Sequence, residues 1–149
     1  MGWQGKKVLI TGISGFLGSN LGRELLNQGA EICAVDNFSY IDYEITKRKV
    51  PIINEVMVIS GDVSMKETWD KVPKDIEYIF HLAGPSSITL FNRNPERCYY
   101  ETIFGLYHVL EFAKKHGAKK IIYTSTGSLY AGNRMPHREE LYPIGYNLY

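Results

Sequence analysis

Short uninterrupted apolar runs alternate along this chain with longer segments whose apolar residues recur at helical spacing. Val8-Leu9-Ile10-Thr11 reads as a first strand, stopped by Gly12, and Ile32-Cys33-Ala34-Val35, ending at Asp36, as a second. Val56 to Ile59, Ile76 to Phe80 and Lys120 to Thr124 follow as the third, fourth and fifth. Strands without polar alternation need cover on both faces, which is the situation of a parallel sheet. Phe16 to Asn27 places Leu17, Leu21, Leu25 and Leu26 at helical spacing, with Gly29 as its terminator. A short helix is expected at Met65 to Lys71, where Asp62 could serve as a cap. Before the fifth strand Asn94 suits an N-cap, Pro95 suits the first helical position, and Gly117 suits the end. Tyr99, Ile103, Leu106, Leu110 and Ala113 share one face of that long helix, and a Tyr-rich face of this kind is core more readily than interface. Asn37 to Asn54 has weak periodicity and reads as a loop with room for a short helix.

Strand and helix in alternation, joined by right-handed crossovers, predict an α/β fold: a Rossmann-type doubly wound parallel sheet with helices on both faces. The 149 residues fit one domain with a real core. A hydrophobic fraction of 44%, a charged fraction of 22% and a net charge of +1 give no bulk electrostatic reason for a nucleic-acid or membrane partner. The apolar run Val8 to Ile10 is far too short to span a bilayer, and no signal peptide is visible. Cys33 and Cys98 lie in no metal-type spacing and are read as buried free thiols of a reducing cytoplasm, so no metal site is expected.

The chemistry concentrates in the turns that follow the strands. Thr11-Gly12-Ile13-Ser14-Gly15-Phe16-Leu17-Gly18 lies between a strand and a helix, the setting a phosphate-binding loop requires. One glycine lets the chain turn off the strand, one lets the backbone approach a pyrophosphate, and one lets the helix pack closely. The helix N-terminus adds free amides and a partial positive charge. Asp36 follows Gly12 by 24 residues, where a carboxylate can accept from the adenosine ribose hydroxyls and repel a 2′-phosphate. No Arg or Lys follows it until Lys47, which favours NAD over NADP.

The G-x-x-G-x-x-G spacing after Lys7-Val8-Leu9-Ile10-Thr11 resembles the extended short-chain dehydrogenase/reductases, in particular the NAD-dependent epimerases and dehydratases of nucleotide sugars. The resemblance runs from Lys6 to Tyr149. It implies that Gly12, Gly15 and Gly18, with the backbone of Phe16 and Leu17, hold the pyrophosphate, that Asp36 and Asn37 take the ribose side, and that Asp62 and Val63 hold the adenine. Leu82, Ala83 and Gly84, in a segment that is usually His-x-Ala-Ala, and Thr124 would also meet NAD, whereas Pro85, Ser86, Ser87 and Ser128 would face the substrate. His81 alone reads as structural.

Thr124-Ser125-Thr126-Gly127-Ser128-Leu129-Tyr130 is similar to the Ser-Ser/Thr-x-x-Val-Tyr-Gly stretch of that family, which implies that Thr126 is the catalytic hydroxyl. The family base is the Tyr of Tyr-x-x-x-Lys, matched by Tyr149, 23 residues after Thr126, with Tyr146 weaker on spacing. A phenol of pKa about 10 becomes a useful base only beside a cation such as that Lys, which would fall beyond Tyr149. Two departures stand out: Thr102-Ile103-Phe104-Gly105-Leu106 replaces the usual Asn-x-x-Gly-Thr, and the C-terminal substrate lobe is absent. Residues 1–149 are therefore expected to form the NAD-binding part of a cytoplasmic, homodimeric enzyme that passes a hydride to NAD and back. The segment alone should bind NAD and turn over little. Another short-chain oxidoreductase, such as a hydroxysteroid or flavonol-type reductase, and a non-enzymatic dinucleotide sensor remain open.

Overall fold

The computed structural model describes residues 2–144. Five strands, β1 (Lys7–Thr11), β2 (Glu31–Asp36), β3 (Met57–Ser60), β4 (Tyr78–His81) and β5 (Lys120–Tyr123), form one parallel sheet in the order β3-β2-β1-β4-β5. Five helices accompany them: α1 (Phe16–Asn27), α2 (Tyr43–Lys49), α3 (Lys66–Asp70), α4 (Ile88–Arg93) and α5 (Pro95–His116). Two 3-10 turns, Pro51–Asn54 and Gly127–Tyr130, complete the described elements.

Side chains that alternate across a strand must fill two cores here, one on each side of the sheet. Val8 and Ile10 of β1 and Ile32 and Ala34 of β2 pack with Leu25 and Ile52 under α1. The residues between them, Leu9, Cys33 and Val35, pack with Trp69, Val109 and Phe112 under α3 and α5. This explains the unbroken apolar runs of β1 and β2, whose flanking strands leave them no open edge. Both thiols are free and buried. The layout is the doubly wound, Rossmann-type sheet that the pattern of runs predicts.

Three local expectations need correction. The buried stripe of α5 is Cys98, Gly105, Val109, Phe112 and Ala113, not the Tyr99–Ile103–Leu110 face. Tyr99, Ile103 and Leu110 are 41%, 60% and 48% exposed. The helix carries two apolar stripes, and the one that turns inward is the one with a small residue at the point of closest approach. A Cβ on Gly105 would lie 3.0 Å from Val63 Cγ2, so the bulky face could not sit there. Second, Leu17 is 58% exposed instead of joining the buried stripe of α1, because it lines an open crevice at the start of the helix. Residues 37–54 do hold the short helix for which the sequence leaves room, α2, and a 3-10 turn besides. Asp42 caps α2 by accepting from the Glu44 amide at 2.9 Å, and Ile52 and Ile53 are buried. That order comes from capping and from two non-periodic anchors, neither of which makes an apolar stripe. Third, Asp62 does not cap α3, whose N-cap is Met65.

Leu9 is fully buried at the centre of the sheet. Leu9→Ala is expected to lower the unfolding free energy by about 2–5 kcal/mol, read from urea denaturation followed by circular dichroism.

Candidate functional site

Strand order determines where a crevice opens. From β1 the chain moves outward through β2 and β3, then returns to place β4 on the other side of β1. The loops leaving the C-terminal ends of β1 and β4 therefore diverge, and a crevice is left between them. It measures about 590 Å³ and is lined by Gly12, Ser14, Gly15, Phe16, Leu17 and Gly18 from the first loop. Asp36, Asn37, Ser39 and Tyr40 line it from the second loop, Asp62 and Val63 from the third, and Leu82 to Ser86 from the fourth.

The floor of the crevice is backbone against backbone. Gly12 has φ +77°, and a Cβ there would stand 2.9 Å from the Ala83 amide nitrogen. A Cβ on Gly18 would drive into the Gly12 carbonyl oxygen. α1 opens on Gly15 with no side-chain cap and no acidic residue in its first turn, whereas α2, α3 and α5 carry Glu44, Glu67 and Glu96 there. The first-turn amides of α1 thus meet the crevice without a carboxylate to neutralise them, an arrangement fitted to a diphosphate.

The opposite wall carries carboxylates held by hydrogen bonds. Asp36, 7% exposed, accepts at Oδ2 from the Ser14 amide at 2.9 Å and the Ser14 hydroxyl at 2.7 Å. Its Oδ1 accepts from the Phe38 amide at 2.8 Å, in an Asx turn that holds Phe38 at φ 51°. Asp62 accepts at Oδ1 from the Ser64 amide (2.9 Å) and hydroxyl (2.7 Å), and at Oδ2 from Asn37 Nδ2 (3.0 Å). Burial would raise the Asp62 pKa, but the bonds from Ser64 and Asn37 and the nearby Arg97 guanidinium outweigh it and hold the carboxyl below its usual range. Asn37 thereby ties the loops after β2 and β3 together. Tyr40 spans the mouth, its hydroxyl accepting from the Ser86 amide at 3.4 Å.

A buried network secures the β1–β4 junction. Thr11 Oγ1 accepts from the amides of Leu82 (3.2 Å) and Ala83 (3.1 Å), so its own proton goes to His81 Nδ1 at 2.7 Å. His81 consequently carries its hydrogen on Nε2. Burial pushes its pKa down to about 4, and its ring stacks on Tyr123 with centroids 5.5 Å apart. The imidazole is a neutral structural spacer, as the sequence suggests. Beside it a second pocket of about 220 Å³ shares the Leu82–Ser86 wall and is lined on its far side by Thr102, Tyr123, Thr124, Ser125 and Thr126. Thr126 caps the turn Gly127–Tyr130, its Oγ1 accepting from the Ser128 amide at 3.2 Å.

The structure therefore brings together Gly12, Gly15, Phe16, Leu17, Gly18, Asp36, Asn37, Asp62, Val63, Leu82, Ala83, Gly84, Pro85 and Ser86 in one crevice. Thr124 and Thr126 line the adjoining pocket. Ser87 stands at the N-cap position of α4 without a side-chain capping bond, and Ser128 lies on the 3-10 turn; neither lines the two cavities. Tyr149 and Tyr146 lie outside the described residues. Sequence reasoning passed over Ser14, Tyr40, Lys49, Arg97 and Glu101, which also line the crevice. Only Ser14 gave a signal, a hydroxyl where the loop needs merely a small residue. The others come from α2, α5 and the loop before α2, whose placement no motif encodes. Lys49 also qualifies the inference drawn from the absence of a cation before Lys47.

Strand order, glycine loop and crevice define a Rossmann-type nucleotide-binding fold. The sequence matches the profile of the NAD dependent epimerase/dehydratase family over residues 8–147, and the chain belongs to that family. It is 30% identical over 141 residues to a UDP-glucose 4-epimerase of Bacillus subtilis, covering 93% of this chain and 42% of the relative. Its fold superposes with TM-score 0.83 on the crystal structure of a UDP-glucose 4-epimerase with UDP-glucose from Thermotoga maritima, at 29% identity over 96% of this chain and 46% of that one. The UDP-glucose 4-epimerase of Thermus thermophilus in complex with NAD gives TM-score 0.83 at 26% identity, again over 96% and 46%. The chain spans less than half the length of these relatives.

A histidine that is neutral when folded makes stability depend on pH. Between about pH 6.5 and pH 4 the unfolded chain takes up a proton that folded His81 refuses, so stability present above pH 6.5 is lost as the pH falls and levels off below 4. The unfolding free energy from urea denaturation is expected to decline across that window by up to about 1.4 kcal/mol per pH unit, and His81→Gln is expected to remove most of the slope.

Proposed function

We propose that this chain is the NAD-binding domain of a nucleotide-sugar epimerase or dehydratase that works in the manner of UDP-glucose 4-epimerase. The observation that carries the reading is the crevice itself, where uncapped amides of α1 face two pinned carboxylates, Asp36 and Asp62, across a floor that admits no Cβ. In this reading the Gly12–Gly18 loop grips the pyrophosphate, Asp36 accepts from the adenosine ribose, and Asp62 with the Val63 backbone meets the adenine edge. Leu82, Ala83, Gly84 and Thr124 lie along the rest of the dinucleotide. NAD bound there supplies a hydride acceptor that becomes the donor in the return step. Pro85 and Ser86 border the sugar nucleotide on the wall the two cavities share, and Ser87 and Ser128 would meet it only beyond that wall. Thr126 holds the reacting sugar oxygen by a hydrogen bond, and Tyr149 exchanges the proton of that hydroxyl. The pocket that joins the crevice along Leu82–Ser86 and carries Thr126 supports this division of labour.

Titration calorimetry tests the cofactor reading. The chain is expected to bind NAD, Asp36→Ala to weaken it at least about tenfold, and NADP to bind more weakly than NAD. Because Lys49 lines the same crevice, the NADP arm is the informative one, and equal affinity for the two would overturn the assignment. For the reaction, full-length protein incubated with UDP-sugars should yield a product with no net NADH. Net NADH formation would point to an oxidoreductase, and the absence of any turnover to a sensor.

The same reading makes the protein a homodimer of the cytoplasm. No helix among the described residues is long and apolar enough to cross a membrane. Buried free Cys33 and Cys98 fit a reducing compartment. Tyr99, Tyr100, Ile103, Phe104, Tyr107 and Leu110 are all more than 40% exposed along α5, a stripe that a second copy could cover through a two-fold axis. Sedimentation should give a dimer, and Ile103→Lys with Phe104→Lys should give a folded monomer.

A further inference from the structure

We propose that Ser14 determines specificity in the ribose subsite, its hydroxyl oxygen serving with Asp36 as the second acceptor for the adenosine ribose diol. The inference rests on the reading that the crevice holds NAD, and it follows from counting acceptors. A carboxylate offers about four lone-pair positions. On Asp36, both positions of Oδ2 are taken by the Ser14 amide at 2.9 Å and the Ser14 hydroxyl at 2.7 Å. One of the two on Oδ1 is taken by the Phe38 amide at 2.8 Å. A single acceptor position remains, whereas a ribose diol brings two O–H donors.

Ser14 supplies the missing acceptor. It lines the crevice and stands within hydrogen-bond distance of Asp36. Its only hydroxyl proton is committed to Asp36, so toward a ligand its oxygen can accept and cannot donate. A ribose hydroxyl satisfies that oxygen, and a 2′-phosphate, which brings oxygens without protons, does not. Ser14 thus adds to the discrimination that Asp36 exerts by charge, and its amide, spent on Asp36, is withdrawn from the pyrophosphate. Alanine at this position would keep the small bulk that the loop needs and free one position on Asp36 Oδ2, but that position lies 2.7 Å behind the lost oxygen, so a ribose hydroxyl seated against residue 14 would have to shift to reach it.

The test is a thermodynamic cycle of protein variant against ligand, read as dissociation constants by calorimetry on the chain. Ser14→Ala should weaken NAD about 5- to 10-fold, and weaken either 2′-deoxy-NAD or 3′-deoxy-NAD, whichever lacks the hydroxyl that Ser14 accepts, less than twofold. The preference for NAD over NADP should fall in the same variant. Ser14→Thr, which keeps the hydroxyl, should stay within about twofold of wild type, and Ser14→Cys, a weak acceptor of similar size, should repeat the alanine pattern should Ser14→Ala fail to fold. Equal weakening of NAD and both deoxy analogues would mean that Ser14 only braces the loop, and that result, or unchanged NAD affinity, overturns the proposal. Failure of the wild-type chain to bind NAD at all is a different outcome, which removes the parent reading and this inference with it.

Discussion

Everything at the functional end of this molecule depends on a contact between main chains where no side chain fits. Gly12 lies against the turn Leu82–Ala83, and Gly18 lies against the Gly12 carbonyl. These contacts bring the start of α1 to the C-terminal edge of the sheet, at the place where strand order reverses between β1 and β4. A Cβ at either glycine would push α1 off β1 or β4 off its turn, and the amides of the first helical turn would no longer look into the crevice. The Thr11–His81 pair secures the same junction from beneath, because the one hydroxyl that orders the Leu82 and Ala83 amides also fixes the tautomer of the histidine.

Above that floor the crevice is electrostatically divided. One wall offers helix amides with no acid in the first turn, and the other offers Asp36 and Asp62. Both carboxylates are saturated on one oxygen by a neighbouring serine and keep some capacity on the other. That repetition has a physical sense. A carboxylate held by two donors from one residue cannot swing, so the acceptor it still presents has a fixed direction, and little ordering cost remains to be met when a ligand arrives. Asn37, next to Asp36 in the chain, donates to Asp62 and so links the two loops that carry the acids.

The long helix α5 serves two sides of the molecule. Its compact stripe, with Gly105 against Val63 and His81, closes the core beneath the crevice. Its aromatic stripe stays in solvent among the described residues. Arg97 and Glu101, paired on its first turns, line the crevice together with Asp62, so the helix with the exposed aromatic stripe also borders the crevice.

The sequence alone determined the alternation of strands and helices, the bounds of α1 and α5, the parallel doubly covered sheet and the loops that line the crevice. Those features are written in local terms: continuous apolar runs, an Asn-Pro helix start, glycines where the chain must turn or touch itself, and a carboxylate at the end of β2. Tertiary structure alone decided which of two apolar stripes of α5 turned inward, since a periodicity of 3.6 is the same for either face and only the approach to Val63 and His81 selects the glycine side. It also decided that Ser14, Tyr40, Lys49 and Arg97 share a crevice with the glycine loop, and that Asp36 reaches it with one acceptor left. Such facts arise where loops from distant strands converge, and no spacing along the chain records a distance across it.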